Sequence, residues 1–106
     1  MAWIALLTAG LLEILWAFAM KLSDGFTRPL PTAIMAVSML ASFALLAWSM
    51  RVLPLGAAYT IWTGIGAVGA FIVGIAVLGE AATPQRIAAA LLIVSGLVLM
   101  KLSSPS

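Results

Sequence analysis

One acidic residue lies in the middle of the first apolar stretch of the chain. Residues 1–20 contain only two polar side chains, Thr8 and Glu13. Glu13 follows Trp3 by ten residues, which in an α helix is roughly 15 Å, or half of a roughly 30 Å hydrocarbon core. A carboxylate at that depth costs at least a few kcal/mol of insertion free energy, so it usually faces protein or water and marks the path of an ion or substrate.

Aromatic and small side chains accompany this carboxylate. Trp16 is at i+3 and Gly10 at i−3, so both share the helical face of Glu13. Tyr59 and Trp62 share a face of a later apolar stretch, roughly 7 and 12 Å below its start. They either line a site or serve as packing and interfacial residues. Trp62 is deep for an interfacial position, and its N–H requires a partner in apolar surroundings.

Ser42 lies at a matching depth in the second apolar stretch. It precedes Arg51 by nine residues, roughly 13 Å along a helix, which is close to the depth of Glu13. A helical serine commonly bonds back to the carbonyl four residues earlier, and that alternative applies also to Ser38 and Ser49. Its depth makes Ser42 the candidate for orienting Glu13.

A carboxylate beside tryptophan and tyrosine has the composition of a buried cation site. The carboxylate neutralises the cation, and the aromatic faces add a cation–π attraction of about 2 kcal/mol or more when desolvated. No Lys or Arg lies at this depth, so an anion is not favoured. A single carboxylate in a chain without His or Cys makes a poor transition-metal site. We therefore expect a cation site without a cofactor, and not an enzyme, because no second catalytic group stands near Glu13.

Four apolar stretches supply the elements that must position these residues. A spanning helix needs about 20 largely apolar residues, and residues 2–20, 32–50, 55–78 and 85–102 meet that requirement. The chain of 106 residues is 65% hydrophobic and 8% charged, against roughly 25% charged residues in a soluble domain. We predict an all-α membrane protein: one domain of four transmembrane helices, multi-pass in the plasma or inner membrane, without a nucleic-acid surface.

The charged residues do not clearly favour one orientation of the chain in the membrane. With four crossings both termini lie on one side of the membrane, side A. Side A carries Arg51 and Lys101, and the opposite side, side B, carries Lys21, Arg28 and Arg86. Orientation follows the Lys/Arg bias, and two against three allows either one orientation, decided by a single residue, or insertion in both.

A single chain of this size is too small to contain the inverted repeats that larger transporters place around a midplane site. Two chains inserted in opposite senses would contain them. We therefore expect an antiparallel, dual-topology homodimer with two copies of the carboxylate at one site.

Small residues recur along the third apolar stretch. Gly66, Ala70 and Gly74 recur at four-residue spacing, a pattern that lets helices pack closely in lipid. Gly64 and Gly66 lie mid-helix, where they serve either close packing or a bend. The fourth stretch has no ionisable residue between its ends, so we expect it to make helix–helix contacts between subunits.

The length, the four-helix plan and two motifs resemble the small multidrug resistance family. The motifs are Glu13-x-x-Trp16 in the first helix and Tyr59-x-x-Trp62-Thr63-Gly64-Ile65-Gly66-Ala67 in the third. The match covers essentially the whole chain, and within the family it is most similar to the guanidinium exporter branch. The resemblance implies an antiparallel homodimer that exchanges protons for a small cation.

The resemblance also implies roles for the matched residues. Glu13 corresponds to the membrane-embedded glutamate that binds proton or substrate in turn, and Ser42 to a serine that hydrogen-bonds it. The other matches are Trp16 to a tryptophan of the guanidinium branch, Tyr59 and Trp62 to the aromatic pair lining the site, and Gly64 and Gly66 to the glycines where the third helix bends.

We therefore expect a proton-coupled antiporter that exports guanidinium and small substituted guanidinium cations, with proton and substrate competing for Glu13 of both subunits. Export of bulkier quaternary ammonium compounds by the same machinery is the nearest alternative, and Trp16 argues against it because it fills space. A non-transporting membrane subunit or small pore former is a further alternative. It leaves the depth-matched Glu13, Ser42 and Trp62 unexplained.

Overall fold

The structure consists of four long helices joined by short loops. A computed structural model describes residues 1–103, and within them the chain forms α1 (Ala2–Leu22), α2 (Pro29–Ser49), α3 (Leu55–Ala76) and α4 (Pro84–Ser103). Each helix is long and apolar enough to cross a membrane. The prediction of an all-α protein with four membrane-spanning helices is confirmed.

Two of the differences between the predicted and observed helix ends have identifiable reasons. α2 begins at Pro29, three residues before the predicted start, because proline fits the first helical position, where its missing N–H has no helical partner to lose. α3 ends at Ala76, two residues earlier than predicted, since Gly79 adopts a φ of +73° and the Glu80 N–H donates to the Gly74 carbonyl. The other ends lie within two residues of those predicted.

The loop between α1 and α2 reverses the chain tightly. Asp24, Gly25 and Phe26 all have positive φ, at 51°, 72° and 69°, a region that few non-glycine residues occupy. Ser23 is buried and supports this turn. Its hydroxyl donates to the Met20 carbonyl at 2.6 Å and accepts from the Phe26 N–H at 3.1 Å. The turn lays α2 back along α1.

α1 is the central helix of the fold. It packs against α2 and α3, whereas α2 and α3 touch each other only slightly. Within residues 1–103 the backbone of α4 comes close only to that of α3. The ammonium of Lys101, near the end of α4, lies 4.4 Å from the centroid of the Trp3 ring near the start of α1. The beginning of the first helix and the end of the last therefore lie on the same side, as four successive crossings require.

Glycines allow α1 and α3 to approach closely. A Cβ added at Gly10 would lie 2.7 Å from the Ile65 side chain, and one added at Gly69 would overlap Ile14. This is the packing that a row of small residues favours in lipid, where van der Waals contact drives helix association. The close approach brings one face of α1 directly against α3.

Much apolar surface remains exposed. No residue of α4 is buried within its described length. The accessible surface of 6465 Å² exceeds the roughly 5,600 Å² expected for a compact monomer of this mass. In a membrane this surface contacts lipid or another protein chain.

Candidate functional site

Glu13 faces α3 from the middle of α1. Its carboxylate lies against Gly66, so closely that a Cβ at that position would overlap Oε1 and Cδ. Oε1 is buried and accepts no hydrogen bond from the residues that the structure describes. A buried carboxylate without a donor is costly, so this oxygen is positioned to accept a proton or a cationic donor.

Aromatic rings from three helices form a continuous wall in this part of the protein. Phe43 of α2 lies between Trp16 of α1 and Trp62 of α3, with ring centroids 6.3 and 5.7 Å away, both edge-to-face. Tyr59 extends the wall, with its ring 5.7 Å from that of Trp62 and tilted by 46°. The structure therefore brings together the three aromatic residues that the sequence indicated, through a fourth that it did not.

Phe43 was missed in the sequence because it lies beside Ser42 without a motif of its own. One signal was present: α2 contains only two aromatic residues, Phe43 and Trp48, and only Phe43 lies away from the end of the helix. Its ring separates the two tryptophans and contacts both.

Ser42 connects three helices. It is fully buried, with 0% exposure, and its hydroxyl donates to the Ala9 carbonyl of α1 at 2.7 Å and accepts from the Trp62 Nε1–H at 3.0 Å. The predicted hydrogen bond from Ser42 to Glu13 is wrong in this structure, because the single hydroxyl proton goes to Ala9. The matching of depths was correct to within one helical turn, and the packing of α2 on α1 selects the earlier turn.

The Ala9 carbonyl nevertheless connects Ser42 to the backbone of Glu13. In an α helix the N–H of residue 13 donates to the carbonyl of residue 9, so Ser42 and the backbone of Glu13 share one acceptor. Ser38 and Ser49 differ, since their hydroxyls donate to Ile34 and Leu46 of their own helix at 2.6 and 2.7 Å. Among these three serines of α2, only Ser42 bonds to other helices.

The two aromatic residues of α3 have different environments. Trp62 is 7% exposed, and the partner that its N–H was predicted to need is the Ser42 hydroxyl. Tyr59 is 52% exposed and lies on the open side of the aromatic wall. Trp16 Nε1 is buried without an acceptor among the described residues. One chain thus supplies a closed back to the site and leaves its front open.

The three predicted glycines act in close packing. Gly10 faces Ile65, Gly66 faces Glu13, and a Cβ at Gly64 would overlap the Leu97 side chain of α4. α3 runs through Gly64 and Gly66 without interruption. In this structure Gly66 makes room for the carboxylate, and Gly64 makes room for α4.

The arrangement can bind one positively charged group. It combines a single carboxylate with aromatic rings, and the basic residues all lie at helix ends or in loops. Within residues 1–103 no group of three or more His, Cys, Asp or Glu side chains could hold a metal ion. Proton and organic cation are therefore the ligands that this chemistry fits.

Comparison with known proteins places this chain in a family. A sequence model described as Small Multidrug Resistance protein matches residues 1–103. Proteins named guanidinium exporter from Citrobacter freundii, Salmonella typhimurium and Escherichia coli (strain K12) are each 54% identical over 104 residues, covering 98% of this chain and 99% of the relative. With four apolar helices, the chain is a multi-pass protein of the inner membrane, and it belongs to the small multidrug resistance family.

Proposed function

We propose that this protein exports guanidinium and small substituted guanidinium cations in exchange for protons. The observation that carries the proposal is the buried Glu13 Oε1, which has no hydrogen-bond donor among the described residues. It lies at mid-membrane on a helix whose next turn begins the aromatic wall. The 54% identity to guanidinium exporters supports the same substrate class.

The site favours guanidinium over a quaternary ammonium ion on chemical grounds. Guanidinium is planar and carries N–H donors that pair with a carboxylate in a bidentate manner. A tetraalkylammonium ion carries no N–H and would leave the acceptor oxygen of Glu13 unsatisfied. Trp16 follows Glu13 by one helical turn and lies against Phe43, and aromatic rings offer faces on which a flat cation can stack.

Exchange follows from competition for one group. A carboxylate that binds a proton no longer attracts a cation, and one that pairs with a cation is no longer available to the proton. Binding of the proton therefore releases the cation, and binding of the cation releases the proton. With two copies of Glu13 in a dimer, up to two protons exchange for one cation.

A second chain completes the site. Tyr59 and Phe43 are 52% and 44% exposed, which is more than rings beside a buried cation would be. A copy inserted in the opposite sense covers them and contributes the second Glu13. The near-equal Lys/Arg count of the two sides is compatible with both orientations. Opening to either side is then a rearrangement of helices about this site, with Gly64 and Gly66 as the flexible point of α3.

Transport by the purified protein in liposomes tests the mechanism. Glu13→Gln should abolish guanidinium-driven proton flux, measured with a pH-sensitive dye inside the vesicles. Asp24→Asn is the matched control, because Asp24 lies in an exposed loop at a φ of 51° that asparagine tolerates. Substantial flux in Glu13→Gln would refute the role of this carboxylate. Tetraethylammonium-driven flux equal to or faster than guanidinium-driven flux would instead favour the quaternary ammonium function.

The antiparallel arrangement has its own test. The chain contains no cysteine, so Val52→Cys places a single thiol in the exposed loop between α2 and α3. In intact cells an impermeant maleimide should label about half of the protein. Labelling of all or none would rule out dual insertion while leaving the role of Glu13 to the flux assay.

A further inference from the structure

A groove lies near the side A surface, between α1, α3 and α4. It has a volume of about 280 Å³, and its lining includes Leu7 of α1, Ile61 and Ile65 of α3 and Val98 of α4. Trp3 and Lys101 stand at its end near side A. The body of the groove is apolar, and its end carries one cation.

This groove is separate from the Glu13 site. Successive residues of an α helix are rotated by about 100°, so Ile61 and Ile65 lie roughly 160° and 120° around α3 from Tyr59. The exposed ring of Tyr59 therefore faces away from the groove, and the buried Trp62 lies between them, roughly 60° around α3 from each of Tyr59 and Ile65. None of the residues assigned above to the cation site lines the groove.

The charge at the end of the groove has no acidic side chain near it on side A. The chain has three acidic residues: Glu13 at mid-membrane, and Asp24 and Glu80 in the two loops of side B. Lys101 lies over the Trp3 ring at 4.4 Å, and this pairing of lysine and tryptophan is typical of the depth at which lipid headgroups begin. A lysine at that depth attracts an anionic headgroup.

We propose that this groove binds an anionic phospholipid, with one acyl chain along Leu7, Ile61, Ile65 and Val98 and the headgroup phosphate on Lys101. The apolar lining fits hydrocarbon, and the cation at the headgroup end selects the charge of the lipid. Within the described residues the backbone of α4 comes close only to that of α3. The acyl chain therefore lies in the space between α4 and α1 of one chain. This site does not depend on which cation the protein transports.

Quenching by brominated lipids tests the proposal. The protein is reconstituted in phosphatidylcholine vesicles that contain a small fraction of either brominated phosphatidylglycerol or brominated phosphatidylcholine. The signal of Trp3 is the difference between the unmodified protein and Trp3→Phe. We expect the brominated phosphatidylglycerol to quench Trp3 with about fivefold preference, the factor that corresponds to one lysine at an anionic surface.

Variants of the two side A cations separate this site from general attraction to the membrane. Lys101→Gln should lose the preference, Lys101→Arg should keep it, and Arg51→Gln should also keep it, because Arg51 does not line the groove. Equal quenching by both lipids in the unmodified protein would overturn the proposal, as would an unchanged preference in Lys101→Gln. If neither lipid quenches Trp3 and Val98→Cys cross-links two chains, a second copy of the chain occupies the groove, and the lipid proposal is equally overturned.

Discussion

Replacing Ser42 with alanine removes a hydroxyl that bonds two other helices at once. The hydroxyl donates to the Ala9 carbonyl of α1 and accepts from the Trp62 N–H of α3. Both partners are buried, so water does not replace the lost bonds. The Ala9 carbonyl retains the helical bond from the backbone of Glu13, whereas the indole N–H of Trp62 is left without an acceptor.

The magnitude follows from these two unequal losses. An unpaired buried donor costs about 1–3 kcal/mol, and a lost neutral hydrogen bond costs about 0.5–1.5 kcal/mol net. We therefore expect Ser42→Ala to lower the free energy of unfolding by about 2–3 kcal/mol. Guanidinium affinity should also fall, because Trp62 is no longer held against the aromatic wall.

The free energy of unfolding is measured in mixed micelles by titration with sodium dodecyl sulfate, with tryptophan fluorescence as the signal. Titration calorimetry measures the affinity for guanidinium. Ser38→Ala is the matched control. Ser38 is a buried serine of the same helix, but its hydroxyl bonds only to carbonyls of that helix, Ile34 and Met35. Alanine is also the better helix former, so Ser38→Ala should change stability by less than about 1 kcal/mol.

A double-mutant cycle isolates the indole bond. In the Trp62→Phe background there is no N–H to leave unpaired, so Ser42→Ala should cost only about 1 kcal/mol. An equal cost of Ser42→Ala in both backgrounds would refute the role of the indole bond, as would equal destabilisation by Ser42→Ala and Ser38→Ala.

Two further substitutions probe the walls of the cation site. Gly66→Ala places a methyl group where the Glu13 carboxylate lies and should abolish guanidinium-driven proton flux. Gly56→Ala, in the same helix with open space around it, should keep the flux and gain up to about 1 kcal/mol of stability in the detergent titration; equal flux in the two variants would contradict the placement of the carboxylate. Phe43→Leu removes two edge-to-face contacts, one of them to Trp62. It should weaken guanidinium binding about threefold to tenfold by calorimetry, since such a pair contributes about 0.5–1.5 kcal/mol, and an unchanged affinity would exclude Phe43 from the site.

The number of helices, their approximate limits and the importance of Glu13 could be predicted from the sequence. Lipid cannot satisfy backbone hydrogen bonds, so an apolar stretch of about 20 residues has helix as its main option. A carboxylate within such a stretch is noticeable because of its cost. The depth of each residue in the membrane could also be predicted, since each residue of a helix advances 1.5 Å. That rise alone placed Ser42 within one turn of its partner on α1.

The neighbours of each side chain were decided only by the tertiary structure. Rotation of one helix about its axis, and the turn at which it meets the next, depend on side chains from both helices. For this reason Ser42 bonds to Ala9 and Trp62 in place of Glu13, and Phe43 joins the aromatic wall without any motif to announce it. The groove ending at Lys101 is decided in the same way, because it exists only where α4 packs closely on α3 and less closely on α1. Hydrophobicity and helical rise depend on one segment at a time, whereas contacts depend on how two segments pack.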